Sequence, residues 1–165
     1  QRMKKTLLTA MVAATLFGAG AANAQDQKNF DGFFLGGEFG HTFSDGPDDI
    51  YYGAVGGYRV QLDNNIVVGL EGTFGSADIQ YLDHIWTVNG TVGYAFGAEK
   101  RDLIFGGVGY VKAKASAAGF SATSDNVSFI AGYERAVGDN VSLRVKANVY
   151  GDDSVVPSVG VAFRF

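Results

Sequence analysis

Val155-Val156-Pro157-Ser158-Val159-Gly160-Val161-Ala162-Phe163-Arg164-Phe165 closes the chain in strict alternation. Successive side chains of a β-strand point to opposite faces. One face of this stretch therefore holds Val155, Pro157, Val159, Val161, Phe163 and Phe165, and the other holds Val156, Ser158, Gly160, Ala162 and Arg164. The first face is wholly apolar and ends on an aromatic ring, while the second carries small residues and a charge. Such a strand meets an apolar medium on one side only.

The same period runs backwards through the chain. Val141, Leu143, Val145, Ala147 and Val149 alternate with Ser142, Arg144, Lys146, Asn148 and Tyr150; Ile66, Val68, Leu70, Gly72 and Phe74 alternate with Val67, Gly69, Glu71 and Thr73. Eight segments in all read as strands: Gly32 to Phe43, Ile50 to Val60, Asn65 to Gly75, Gln80 to Phe96, Asp102 to Ala115, Asp125 to Ala136, Asn140 to Tyr150 and Val155 to Phe165. Compact polar turns at 62–65, 97–101 and 137–140 separate three pairs of them, and connections at 44–49, 76–78, 116–124 and 151–154 separate the rest. Connections that alternate sides in this way suit an up-and-down barrel with both termini at one end. No helical period is sustained after Ala24. With 24 glycines, 13 phenylalanines and 8 tyrosines in 165 residues, the composition fits curved strands and not disorder.

The first residues read as an export signal. Lys4 and Lys5 precede an apolar run from Leu7 to Phe17, and Ala22-Asn23-Ala24 is a small-residue cleavage motif. The run is too short for a membrane-spanning helix, which needs roughly 20 residues. The expected division is a signal peptide over 1–24 and a barrel domain over 25–165. Without residues 1–24 the chain holds 10 Lys and Arg against 17 Asp and Glu, a net charge of −7, which speaks against nucleic acid as a partner. The absence of cysteine excludes a disulfide scaffold, thiolate metal sites and an N-terminal lipidated cysteine.

Alternation alone does not say which face looks inward. Three features favour an apolar exterior. The polar set mixes Glu38, Glu71, Asp83 and Glu134 with Arg59, Lys112, Lys114, Arg144, Lys146 and Arg164, charges that can neutralise one another across a narrow lumen. Aromatic residues crowd the strand ends of the apolar set: Phe33, Phe43, Tyr52, Tyr58, Phe74, Trp86, Tyr94, Phe105, Tyr133, Phe163 and Phe165, as the two interfacial girdles of a membrane barrel require. The third is the ending on Phe165 itself, for which a soluble barrel has no physical reason. The fold expected is an all-β, eight-stranded antiparallel up-and-down transmembrane β-barrel.

These residues resemble a known family. The ending Val159-Gly160-Val161-Ala162-Phe163-Arg164-Phe165 resembles the C-terminal signal of outer-membrane β-barrels, and Asp31-Gly32-Phe33-Phe34-Leu35-Gly36-Gly37-Glu38-Phe39-Gly40 is similar to the first strand of the small barrels grouped with outer-membrane proteins A and X. Gly106-Gly107-Val108-Gly109-Tyr110 and Ile130-Ala131-Gly132-Tyr133 look like strands of the same group. The resemblance implies a monomeric, porin-family-like protein of the Gram-negative cell envelope, surrounded by outer-membrane lipid and lipopolysaccharide. It also implies that Val159, Val161, Phe163 and Phe165 are read by the barrel assembly machinery.

Four candidate sites remain. Glu38, Arg59, Glu71, Lys112, Glu134, Arg144, Lys146 and Arg164 are expected to form a lumen charge network, because an eight-stranded interior is just wide enough for side chains to fill; an excess of cations would instead suit a narrow porin-like channel. His41 and His84, near Ser44, Asp45, Asp48 and Asp83, raise the thought of a rim-active lipid-modifying enzyme, against which histidines at an interface and Asp or Ser in turns are ordinary. Asp45, Asp48, Asp49, Asp152 and Asp153 could bridge divalent cations to lipopolysaccharide phosphates, though their spacing fits no EF-hand. Gly53-Ala54-Val55-Gly56-Gly57 and Gly106-Gly107-Val108-Gly109 look like phosphate-cradling loops, but no helix follows either. No enzyme activity, cofactor or resident metal is expected. The role expected is envelope integrity or surface interaction.

Overall fold

A computed structural model describes residues 28–42, 49–77, 82–117, 120–151 and 154–165; the expected signal peptide and the histidine-flanking and acidic loop residues 44–48, 83 (its side chain) and 152–153 lie outside the described residues. Eight strands, β1 (Gly32–Thr42), β2 (Asp49–Gln61), β3 (Ile66–Ala77), β4 (Leu82–Phe96), β5 (Asp102–Ala117), β6 (Phe120–Ala136), β7 (Val141–Tyr150) and β8 (Ser154–Arg164), are joined in chain order into a closed barrel. Every neighbouring pair is antiparallel, and β1 closes on β8 from Phe34 opposite Arg164 to Gly40 opposite Ser158. Closure leaves no sheet edge along the paired stretch, which a bilayer demands because lipid cannot hydrogen-bond a free backbone group.

An 11-residue strand such as β1, rising about 3.3 Å per residue and tilted roughly 40°, covers about 28 Å along the barrel axis, enough for an apolar band of about 25 Å. The outward surface has the matching composition. Leu35, Leu70, Val88, Val92, Val108, Val145, Val159 and Val161 are exposed around its middle. Phe33, Tyr58, Tyr94 and Phe163 stand exposed at the end that holds both termini, and Phe39, Tyr52, Phe74 and Tyr110 at the other. An exterior of this kind in water would be one continuous apolar patch, far larger than a soluble monomer shows.

Two strands depart from the sequence reading. β6 begins at Phe120, where a loop to Ser124 is expected, and pairs with β5 as far as Ala117 opposite Phe120. The intervening Ser and Ala residues carry no hydrophobic contrast to announce a strand, yet the backbone ladder continues through them. In β5 the faces are reversed. Leu103, Phe105 and Val111 are buried, whereas Ile104, Val108 and Tyr110 are exposed. Both parities of this strand are apolar near its start and Gly106, Gly107 and Gly109 interrupt them, so alternation does not single out a face; pairing with the neighbouring strands does.

The wall is fitted to its contents by close approach. An added Cβ at Gly75 would lie 2.5 Å from the Tyr51 ring, and Tyr51 is 1 % exposed, enclosed on the lumen side. Gly75→Ala is therefore expected to destabilise the folded barrel by roughly 1–3 kcal/mol through overpacking, while Gly72→Ala, whose Cβ would meet nothing nearer than 3.6 Å, should leave the unfolding midpoint in urea nearly unchanged.

Candidate functional site: the barrel lumen

The lumen is filled in three layers. Near the end that holds the termini, Phe30, Val67, Ala95, Leu103, Phe105, Ile130 and Ala136 form an apolar cluster. Residues just before β1 close this mouth: Phe30 is 2 % exposed, its backbone N–H donates to Gln61 Oε1 (3.1 Å), and the Gln61 N–H donates to Asp31 Oδ1 (2.8 Å). The Asn29 side chain donates to the carbonyls of Glu99 and Lys100 in the β4–β5 turn, and Lys28 pairs with Asp63 in the β2–β3 turn. The segment thus ties two turns together across the opening.

Next comes a buried ion cluster. Glu71, on β3, meets Arg144 Nη2 at 2.5 Å, Lys146 Nζ at 2.8 Å and Arg59 Nη2 at 3.4 Å. Glu134, on β6, meets Arg59 at 2.9 Å and Arg144 at 3.0 Å and accepts from the Ser142 hydroxyl at 2.5 Å. Glu38, on β1, meets Lys146 at 2.8 Å and accepts from the Tyr51 hydroxyl at 2.9 Å. Three carboxylates and three cations from five strands thus form one formally neutral network, and all six residues are buried. Phe34 and Phe105 flank the guanidiniums, with Arg59 4.1 and 5.5 Å and Arg144 5.2 and 5.3 Å from the two ring centroids, an arrangement favourable to a desolvated cation.

Register makes room for these long side chains. Glu38 stands opposite Gly53 and Gly160, Arg59 opposite Gly69, Glu71 opposite Gly57, Arg144 opposite Gly160, and Lys146 opposite Gly132. Strand neighbours directly across a ladder lie about 5 Å apart with their side chains on one face, so a glycine there leaves the volume a guanidinium or ammonium stem occupies.

Beyond the ions lies an uncharged polar layer. The Thr73 and Thr87 hydroxyls are 2.6 Å apart and Asn89 Nδ2 donates to Thr87, with Ser128, Asn148 and Ser158 buried alongside.

Of the residues expected in the lumen network, Glu38, Arg59, Glu71, Glu134, Arg144 and Lys146 come together. Arg164 points inward but binds elsewhere: its guanidinium donates to the carbonyls of Asn29, Gly138, Asp139 and Val141 and lies 5.7 Å from the Phe30 ring. Lys112 is a correction. The reversed parity of β5 puts it on the outward face, across from Trp86 and Asp125, and Lys114 with it; Phe105 correspondingly leaves the exterior for the lumen. Phe34, Tyr51 and Ser142 are functional parts of the network that sequence reasoning passed over, although each shares parity with a charged residue of its own strand.

The other candidates do not converge. His41 and His84 sit on β1 and β4, three strand spacings or about 14 Å apart around the wall, and no group of three metal-ligating side chains occurs among the described residues. Val159, Val161 and Phe163 on β8, with Phe165 directly after it, form an exposed apolar row.

A family model for an outer membrane protein beta-barrel domain matches residues 12–165. The chain belongs to this family. No curated protein matches its sequence. Among solved structures, the family member is similar to Neisserial surface protein A (19 % identity, 82 % of this chain and 98 % of that one, TM-score 0.57). It is also similar to Ail, the attachment invasion locus protein of Yersinia pestis (20 % identity, 82 % and 99 %, TM-score 0.52), and to a structure from the de novo design of transmembrane β-barrels (14 % identity, 81 % and 95 %, TM-score 0.56). At such identities the likeness is one of fold, and a designed protein among the matches shows that this architecture by itself names no task.

Removing one partner of a buried ion cluster strands the others. Glu71→Ala deprives three cations of a shared carboxylate and is expected to cost about 3–5 kcal/mol in the urea unfolding of the lipid-reconstituted protein. Asp63→Asn, which breaks only the exposed pair with Lys28, should leave the midpoint where it is.

Proposed function

We propose that this protein is a non-enzymatic barrel of the bacterial outer membrane, sealed to ions, whose role lies in envelope integrity or surface interaction. The observation that carries the reading is the lumen: a neutral cluster of Glu38, Glu71, Glu134, Arg59, Arg144 and Lys146 spans it, with an apolar layer and the residue 28–31 segment beneath. An ion crossing this interior would have to break several short ion pairs at once, and a side chain displaced from one of them has no solvent to turn to. The outward row Val159, Val161, Phe163 and Phe165 suits recognition by the barrel assembly machinery, and the aliphatic band between aromatic ends suits a lipid surround containing lipopolysaccharide.

Cell fractionation and planar bilayers test the reading together. The protein should be insoluble in Sarkosyl, migrate faster unheated than boiled on a denaturing gel, and give no steady ohmic current after insertion into a planar bilayer. Recovery in the soluble fraction overturns the membrane placement, and a steady current favours the narrow porin-like channel instead.

A further inference from the structure

β6 is longer than the strand that follows it, and the excess leaves one side of its backbone unpaired. It runs from Phe120 to Ala136 and pairs with β5 from Ala117 opposite Phe120 to Asp102 opposite Arg135. Its pairing with β7 stops at Ser128 opposite Tyr150, where β7 ends. β5 is covered on its other side as far as Ala115, which stands opposite Leu82 of β4. Phe120 to Asn126 therefore form a strand edge, and no strand pairs with their open side among the described residues.

Residue order fixes which backbone groups this edge offers. In a strand, the N–H and C=O of one residue point to one neighbouring strand and those of the next residue to the other. The Val127 carbonyl accepts from the Gly151 N–H on the β7 side at 3.2 Å, and the Ala136 N–H donates to the Arg101 carbonyl on the β5 side. Odd-numbered residues of β6 thus face β7, and Ser121, Thr123 and Asp125 turn their N–H and C=O groups to the open side. Asn126 marks the limit of the β6–β7 ladder: its Oδ1 accepts from the Val127 N–H at 2.8 Å, taking the donor that a longer β7 would use. Nothing blunts the edge in the usual ways. It holds no lysine or proline, its only charge is Asp125, and its ladder with β5 runs without a register shift. Nor does it lie in hydrocarbon. Tyr110, at the aromatic level of the outer wall, stands across from Val127, and Lys112 and Lys114 beyond it stand across from Asp125 and Thr123. Phe120 to Asn126 accordingly rise about 23 Å along the strand into water.

We propose that this edge is a docking site for an extended segment of a soluble protein outside the cell, which adds antiparallel to β6 as a further strand. Ser121, Thr123 and Asp125 offer donors and acceptors in the spacing that an antiparallel partner matches. A neighbouring copy in the same membrane does not match it. Both copies point the same way and, at one depth, hold the same odd-numbered residues at the same height, whereas a parallel ladder joins residues offset by one. A chain arriving from the aqueous side is free to run in the required direction. Opposite the exposed Thr123 a β-branched side chain pairs well, so the segment that fits is proline-free and rich in threonine and valine. The site deepens the surface-interaction reading above and rests on it, with the termini on the periplasmic side.

Amide hydrogen exchange of the purified protein in detergent micelles, read by NMR, tests the site residue by residue. The probe is a short peptide of alternating threonine and valine. Without it, the Ser121, Thr123 and Asp125 amides should exchange fast, and those of Ala122 and Ser124, held by β5, slowly. Peptide should slow the first three by about ten-fold or more and leave the other two as they were. In T123P the proline sits where the lost N–H faces the open side and no bond to β5 is removed, so the peptide should bind about ten-fold more weakly. Protection of the three amides without peptide at every protein concentration overturns the site, because the chain then covers its own edge. Protection that grows with protein concentration overturns the partner strand in favour of a second copy. No slowing up to the solubility limit of the peptide, slowing without the alternation, or binding by T123P within about threefold of the parent also overturns it. Should T123P lose heat-modifiable migration, the exchange pattern of the parent decides alone. A T123C variant of this cysteine-free chain, treated on intact cells with a membrane-impermeant maleimide, supplies the separating control: labelling without peptide binding refutes the docking site only, and no labelling refutes the outward placement beneath it.

Discussion

Glu71 is one carboxylate shared by Arg59, Arg144 and Lys146, and the rest of the interior is arranged around keeping that sharing intact. Each of the four comes from a position whose cross-strand neighbour is glycine, so the sheet supplies the volume that the long side chains need. Glu134 takes up the remaining guanidinium contacts and Glu38 balances Lys146. The result is a set of charges whose desolvation is tolerable only because none is left alone. Fixing the ions fixes the register of β2, β3, β6 and β7 as well, since a slip of one residue would turn every one of these groups toward lipid.

The exterior follows from the same parity. Once the charges are inside, the alternate positions must meet hydrocarbon, and they are aliphatic at mid-height and aromatic toward both ends. A soluble barrel inverts this order, with its apolar residues packed inside and its charges in water. Here the interior is stabilised by ion pairs, hydroxyls and ring–guanidinium contacts, and the hydrophobic contribution comes mainly from the surround. This division explains how a chain so rich in glycine holds one structure: its strands need little intrinsic propensity when closure and lipid together penalise every unpaired backbone group.

Much of this was legible from residue order alone. Strands β3, β7 and β8 alternate so cleanly that faces and partners follow directly, and five-strand convergence of Glu38, Arg59, Glu71, Glu134, Arg144 and Lys146 follows from parity plus the narrowness of the barrel. β5 was not legible, because its apolar residues occupy both parities and its lysines lie beyond the hydrocarbon, where a charge is as welcome outside as in. Phe34 and Tyr51 were hidden for a different reason: each sits beside an aromatic residue of opposite parity, Phe33 and Tyr52, and composition cannot tell which ring faces lipid. The second arrangement invisible to any local pattern is the mouth, where Arg164 gathers carbonyls from Asn29 and from the β6–β7 turn that lie far apart in sequence.

That last arrangement bears on how the barrel forms. Arg164 belongs to the final strand, and its acceptors belong to the segment before the first strand and to a turn in between. An incomplete sheet lacks this bolt and the pairs that cross the lumen, Arg59 with Glu134 and Arg144 with Glu71, although each arginine keeps a carboxylate on the neighbouring strand. Closure is therefore what joins the two halves of the ion cluster and sets the Arg164 contacts at the mouth, so the last pairing of strands completes the interior as well as the wall.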